Sequence, residues 1–453
     1  MTPPQIDAPR GFFRQLLTLG LPITLQNALS SSMNVIDILM VGQINETAIA
    51  AVGIATQFIF MFIVTQYGVH SGIAIFTAQY WGKQDLSRIK HLSGMGILAG
   101  LFIAALFSTV ALLFPHRLMA VFSTDPQVLA LGIQYLEVAG VCFPLFALTF
   151  SFMFNMRAMG FVRVPMVASM VSVLVNILLN YLLIFGKFGC PAMGVAGAAV
   201  ATTIAKGLEA IILISIIYAK NYPLAGTLRE MAGFPGTFLK KVIATCWPVF
   251  LNELAWVTGV SLYKVVYARI GTDSIAAVNI VFSLEEFLFI PFWGIFHGGS
   301  VMIGNAIGAG RYDQAFSCGK FLLKAQLAVS LTTGMTMILA RDFILSFYQI
   351  SPATHANAHA LMLVTGLTLW AKTTNFTNIV SVLRGGGDTR FGCFLDMTGV
   401  WGIGVPMAIF AAFYLNLPVY WVMALVTVEE IFKLSLGIPR FLSGKWIRDL
   451  VRD

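Results

Sequence analysis

Asp37 stands in the segment VIDILMVG with no lysine or arginine within a helical turn. A charge near the centre of a bilayer costs about 2.5 to 3.5 kcal/mol or more, so this carboxylate needs a partner from another segment. Asn176 and Asn180, in VLVNILLNYLLIFG, are spaced to share one helix face. Thr202 follows in GVAGAAVATTIA. Counting about 1.5 Å per residue from the ends of the apolar runs brings all four groups to similar depth. A carboxylate, two amide oxygens and a hydroxyl form a hard-oxygen set for a small cation, or for a protonatable carboxyl with hydrogen-bond partners. Asn or Thr alone is more often polar glue between helices, worth about 0.6 kcal/mol per bond. The matching depth of Asp37 favours a site for sodium or a proton.

The C-terminal half carries a different set. Asn252 and Glu253 come early in one apolar run and Lys264 lies three turns further on the same face, while Glu285, Glu286 and His297 occupy the next run. Glu253, Lys264, Glu285, Glu286 and His297 are candidates for substrate binding or coupling; a salt bridge between Glu253 and Lys264 is the competing account. Lys206 with Glu209, and Glu429 with Lys433, have the spacing to neutralise each other on one helix. Lys372 is expected to snorkel from the outer end of its run. His355 and His359 have the spacing of a metal pair but no acid or cysteine beside them in sequence, so no metal site is expected. The sequence lacks a G-x-x-x-x-G-K-[ST] phosphate loop, a His-rich cluster and a Ser-Lys dyad, which argues against an enzyme or an ATPase. Five cysteines without a C-x-x-C pair point to buried thiols rather than disulfides. No cofactor is expected beyond a coupling ion.

The elements that must hold these residues follow from composition. Of 453 residues, 58% are apolar and 11% charged, with a mean hydropathy of +0.84. Soluble domains carry about 25% charged residues, so this is an integral membrane chain. The net charge of +8 is too dispersed to track phosphates, which excludes nucleic acid as a partner. Apolar runs predict spans near 15–41, 48–80, 92–114, 128–156, 165–186 and 193–219, then 238–268, 274–306, 316–340, 355–383, 391–415 and 418–439. The N-terminus lacks a signal-peptide core, so the first span is expected to direct insertion. Alternate loops collect most basic residues, among them Arg10, Arg14, Lys83, Arg88, Lys90, Arg157, Arg163, Arg311, Arg384 and Arg440. The opposite loops hold Arg117, Lys187, Arg269 and Arg341. This bias places both termini in the cytoplasm of a multi-pass protein.

The chain also repeats itself. Residues 19–54 align without a gap to residues 245–280, an offset of 226 that sets Pro22 on Pro248 and Gly82 on Gly308. Arg157, Gly160 and Arg163 fall on Arg384, Gly387 and Arg390 one residue later. Asp37 falls on Tyr263, and Asn176 and Asn180 on Ile403 and Met407, so the polar set exists in one half only. The expected fold is all-α with twelve transmembrane helices in two six-helix lobes, a tandem parallel repeat around a central cavity. Its parts would be an N-terminal lobe (1–220), a cytoplasmic linker (221–236), a C-terminal lobe (237–440) and a cytoplasmic tail (441–453).

The duplicated halves, the stretch IGNAIGAGRYDQA (303–315) and LRGGGDTR (383–390) resemble the multidrug and toxic compound extrusion (MATE) family over about residues 12–440. The resemblance implies a secondary antiporter of the cytoplasmic (inner) membrane, exporting organic cations, drugs or other amphipathic compounds on inward proton or sodium flow. It sets Asp37 on the family's first-span aspartate and Thr202 on a sixth-span threonine. Asn176 and Asn180 match an Asn-x-x-x-Asn form, where other branches have Asn-x-x-x-Asp. At the acidic positions of one sodium-coupled branch this chain has Trp256 and Thr373. A flippase of lipid-linked precursors is the alternative, and it would want a cationic cavity. The expected partners are small, mostly cationic substrates and the bilayer, with the protein acting as a monomer.

Overall fold

A computed structural model describes residues 9–452, nearly all of them helical. Helices α1 (Pro9–Gly42), α2 (Glu46–Lys83), α3 (Leu86–Leu113), α4 (Pro126–Ala158), α5 (Arg163–Phe185) and α6 (Gly194–Ala219) follow the first six predicted spans. Helices α7 (Gly236–Ile270), α8 (Thr272–Gly308), α9 (Tyr312–Leu345), α10 (352–383), α11 (Thr389–Tyr414) and α12 (419–442) follow the rest. Among the described residues nine helices are long and apolar enough to cross a membrane by length and composition. The shortfall lies in α1, α10 and α12, where serines, asparagines and charged residues dilute the apolar run, and α12 is also broken at Thr427.

Side chains start these helices where the backbone N–H groups would otherwise be unpaired. Asn45 accepts from Ala48 N at 2.7 Å, Asp85 from Arg88 N at 3.1 Å and Ser351 from Thr354 N at 3.1 Å. The repeat is visible at helix ends as well. Gln84 (φ 63°) and Gly310 (φ 71°) occupy equivalent left-handed positions, as do Gly160 (φ 86°) and Gly387 (φ 88°).

The chain divides into two compact units, residues 25–246 and residues 247 onward together with those up to Thr24. In the first, α2, α4 and α6 pack around Ala51, Val52, Leu136, Ala139, Ala198 and Ala199. The linker helix Leu228–Ala232 carries a capping box between Thr227 and Glu230 and lies on α3, where Lys90 meets Glu230 at 2.8 Å. Leu98, Phe102 and Leu106 form an exposed stripe on α3, as a lipid-facing surface requires.

In the second unit, Gly20 of α1 approaches Gly294 of α8 so closely that a Cβ on Gly20 would lie 2.9 Å from the Gly294 carbonyl oxygen. Phe12 stacks near Phe321 of α9 at 5.6 Å. Leu331, Met335, Leu339 and Phe343 form the exposed stripe here. Helices α10 and α11 contain π-helical turns at Thr377–Leu383, Thr398–Gly404 and Phe410–Tyr414, which the apolar periodicity does not reveal. The chain after α12 folds back on the glycine-rich loop. Trp446 is fully buried, Arg448 N donates to Gly386 O at 2.8 Å, and Asp388 receives Arg440 at 2.8 Å and Arg448 at 2.7 Å. A Cβ on Gly386 would lie 2.7 Å from the Trp446 carbonyl, so this glycine makes room for the tail.

Candidate ion-coupling site

Helices α1, α5 and α6 bring the four predicted N-terminal residues together. Asn180 Nδ2 donates to Asp37 Oδ1 and, at 3.0 Å, to Asn176 Oδ1. Asn176 Nδ2 donates to Thr202 Oγ1 at 3.2 Å. The chain of contacts therefore runs from Thr202 through both amides to Asp37. Both asparagines are fully buried, and Asn180 Oδ1 has no hydrogen-bond partner. Close packing sets the geometry: a Cβ on Gly197 of α6 would lie 2.7 Å from the Leu183 carbonyl oxygen of α5. That contact seats α6 low enough on α5 for Thr202 to reach Asn176. No lysine or arginine forms an ion pair with Asp37 among the described residues; Lys206 and Tyr135 are the ionisable groups close enough to act on it through space.

A second polar chain in the same unit escaped the sequence reading. Buried Arg157 donates to Gln26 Oε1 at 2.6 Å, Gln26 Nε2 donates to Ser169 Oγ at 2.6 Å, and Ser169 donates to Glu209. Lys206 closes it on Glu209 at 2.7 Å, the one-helix pair expected from the spacing. Arg157 reads as a loop cation in sequence because it ends an apolar run, yet it is 7% exposed. Its i, i+3 relation to Gly160 was the signal, since that glycine turns the chain immediately after it.

The C-terminal candidates are distributed otherwise than the spacing implied. Glu253 pairs with Arg384 at 2.7 Å and not with Lys264, which is exposed and lies over the Phe282 ring at 5.5 Å. Eleven residues along a helix is about 16 Å, too far for a contact between Glu253 and Lys264 on one element. Glu285 meets Lys372 at 2.9 Å, so Lys372 is tied into the unit rather than snorkelling free. Glu286 is exposed, and His297 stacks on Trp293 at 5.7 Å. Lys433 reaches Glu429 at 3.7 Å but sits nearer Asp396, at 2.9 Å. His359 meets Asp342 of α9 at 3.1 Å, an acid that sequence proximity could not supply.

Two related units of apolar helices, each enclosing charged and amide groups away from water, define a multi-pass membrane transporter of small molecules rather than an enzyme. The chain belongs to the MatE family, whose model matches residues 22–182 and 248–410. It is 25% identical to the uncharacterised transporter YisQ of Bacillus subtilis, over 96% of this chain and 95% of that protein. It is 23% identical to the probable multidrug resistance protein NorM of Thermotoga maritima, over 96% of this chain and 93% of that one. Its fold matches the crystal structure of a mutant of the Vibrio cholerae MATE transporter VcmN with a TM-score of 0.88 at 18% identity, covering 97% of this chain and 98% of that one. A transporter of the MOP superfamily from Pyrococcus furiosus matches with a TM-score of 0.85 at 17% identity, over 95% and 96%.

Proposed function

We propose that the protein is a proton-driven antiporter that expels cationic amphipathic compounds across the cytoplasmic membrane, working as a monomer with both termini in the cytoplasm. The observation that carries this reading is the Asp37 carboxyl, tied to Asn180 with no cation paired to it. An uncompensated carboxylate in an apolar helix is costly, and an incoming proton or sodium ion cancels the charge. A lone carboxylate, with Asn180 where a second acid would add charge, favours the proton. Asn180 donates Nδ2 to the Asp37 carboxylate. When the carboxyl is protonated, its O–H can donate to an amide oxygen, and the unpartnered Asn180 Oδ1 is available after a half-turn of the side chain. One asparagine thus serves both charge states.

In the working cycle, Asp37 takes up a proton from outside and releases it to the cytoplasm. An inward charge gains about 2.3 kcal/mol per 100 mV of membrane potential. Protonation changes the tie between α1 and α5, and Pro22 inside α1 supplies a point where that helix can bend. Gln26, Arg157, Ser169 and Glu209 brace the same helices without facing Asp37. Relatives named as multidrug resistance proteins support drug-like substrates, and the intramembrane acids support cations.

The test is transport in proteoliposomes with proton and sodium gradients imposed independently. Asp37→Asn should abolish gradient-driven export while leaving a folded protein that still binds some substrate. Full export by that variant removes Asp37 from the mechanism. Wild-type export that follows sodium at constant pH makes the four-residue cluster a sodium site.

A further inference from the structure

The two repeats place their polar groups at matching positions with the chemistry exchanged. Carrying the later offset of 227 forward, Thr202 falls on Glu429, Lys206 on Lys433 and Ser169 on Asp396, while Gln26 falls on Asn252 at 226. The contacts agree with this register. Gln26 donates to Ser169 at 2.6 Å, and Asn252 Nδ2 donates to Asp396 Oδ2 at 3.1 Å. Where the first unit has an acid on its first helix and a hydroxyl on its sixth, the second has a phenol, Tyr263, and an acid, Glu429. Tyr263 donates to Glu429 Oε2 at 2.8 Å.

The charges around Glu429 do not balance. Among the described residues Lys433 is the one cation in an ion pair with these acids, at 2.9 Å from Asp396 and 3.7 Å from both Glu429 and Glu430. The other cations nearby are already engaged: Arg384 by Glu253 at 2.7 Å and Lys372 by Glu285 at 2.9 Å. Tyr267 of α7 and Cys393 of α11 are the remaining ionisable groups in range, and both are neutral donors when protonated. Three carboxyls therefore share one ammonium among helices α7, α11 and α12. The site is closely enclosed. A Cβ on Gly404 would lie 3.0 Å from the Glu429 carboxyl carbon, and one on Gly399 would lie 3.0 Å from Lys433 Cγ. Both glycines belong to the π-helical turn of α11, a distortion that recurs at functional sites.

An independent feature points to what the site takes up. Asn252 and Asn375 are buried, 5% and 2% exposed, and each donates Nδ2 to a carboxyl of this cluster, Asp396 and Glu430 respectively. In both, Oδ1 has no donor. Asn378, one turn beyond Asn375, is fully buried with neither amide atom partnered, and its Nδ2 borders Gly437, one turn beyond Lys433. This is the arrangement of Asn180 at Asp37: an amide that donates to a carboxylate and holds an acceptor ready for a carboxylic acid. A small crevice, with about 10 Å³ of space for water, is lined by Asn252, Arg384, Thr389 and Cys393 and so reaches the Asn252 amide.

We propose that the C-terminal unit holds a second exchangeable proton on the Glu429, Glu430 and Asp396 cluster around Lys433, so that each unit carries one proton and two cross per transport cycle. This rests on the antiport reading above. Protonation forms an O–H bond on one carboxylate and lowers the excess charge by one. Release breaks that bond and returns the proton to water, leaving the remaining carboxylates to Lys433, Tyr263 and the two asparagines.

The experiment counts protons. Purified wild-type protein, titrated with a lipophilic organic cation such as tetraphenylphosphonium in weakly buffered detergent solution with a pH dye, should release two protons per bound cation. Asp37→Asn should release one. Glu429→Gln and Glu430→Gln should each release one as well, because either substitution removes one of the two excess negative charges, as the bound proton does in the wild type. In proteoliposomes at zero membrane potential, their limiting substrate gradient should fall from about 100-fold to about 10-fold per pH unit. Melting curves keep a folding defect apart from a lost proton, and Tyr263→Phe, which deletes one hydroxyl, provides a milder variant expected to alter the pH dependence of release with the fold intact. A wild-type count of one, unchanged in folded Glu429→Gln and Glu430→Gln, overturns the second site while leaving the antiport reading in place. No proton release and no response to a proton gradient in the wild type overturns the antiport reading itself.

Discussion

Asn180 joins Asp37 to Asn176 in a short relay, donating to both, and the relay ends on the Thr202 hydroxyl. Thr202→Ala takes the acceptor from the buried Asn176 amide, a loss of about 1 to 3 kcal/mol. It should lower the melting temperature and weaken proton-driven export, whereas Thr202→Ser should retain both; equal behaviour of the two variants in a melting and transport assay would make the hydroxyl irrelevant. These four residues were legible in the sequence because helical spacing and depth are enough to bring side chains from adjacent spans to one level. The ion-pair partner of Glu253 was not legible, for the opposite reason. That partner, Arg384, ends an apolar run and counts as a loop cation in sequence, yet it is 5% exposed and turned inward. Nothing in linear spacing says which way an arginine at a helix end points.

The same limit applies to whole elements. Apolar runs located every long helix to within a few residues, since about 20 apolar residues are needed to cross a bilayer whatever the fold. The π-helical turns of α10 and α11 were invisible, because one extra residue in a turn shifts the facing of side chains without changing composition. The segment read as a cytoplasmic linker (221–236) contains a short helix that is anchored on α3. Glu230 receives Lys90 and the Thr227 backbone N–H, and these bonds hold its carboxyl down at about 2 from an ordinary 4.5. A depressed carboxylate contributes stability that is present above its ordinary value and lost as pH falls through its folded one. Hydrogen exchange in residues 221–236, corrected for intrinsic rates, should therefore be slow and steady above pH 4.5 in the wild type and quicken as pH falls from there toward 2. In Lys90→Ala the principal bond is gone and the carboxyl's folded value moves back toward 4.5, so the linker should exchange faster than wild type at pH 7 and change less as pH falls from 4.5 toward 2. Identical wild-type and variant profiles would show that Lys90 does not hold the linker. The group is exposed, so the effect is confined to this segment and weakens with salt.

For the whole molecule, the basic loops predict that positions near Lys83 and Arg311 face the cytoplasm. Cysteines introduced there should resist an impermeant maleimide added to intact cells and react after permeabilisation. Strong labelling from outside would reverse the orientation. The tandem repeat was legible as sequence, and the left-handed positions at Gln84, Gly160, Gly310 and Gly387 carry it into the backbone. The division of α1 was not legible, because it depends on contacts nearly three hundred residues apart.

That division bears on how the chain is made. Residues 9–24 are made before the first unit, yet they group with the unit that begins at Trp247, and Gly20 has its packing partner in Gly294. Until α8 has been synthesised, this opening turn of α1 waits in the bilayer with lipid against a surface shaped for a helix. The last-made unit is thus completed by the first-made segment. A ribosome that stalls in the linker leaves the early residues without their partner, and a fragment begun at the linker lacks the piece that closes it. Packing of the second unit is complete only when α8 has met α1, which makes the early part of α1 late to find its place.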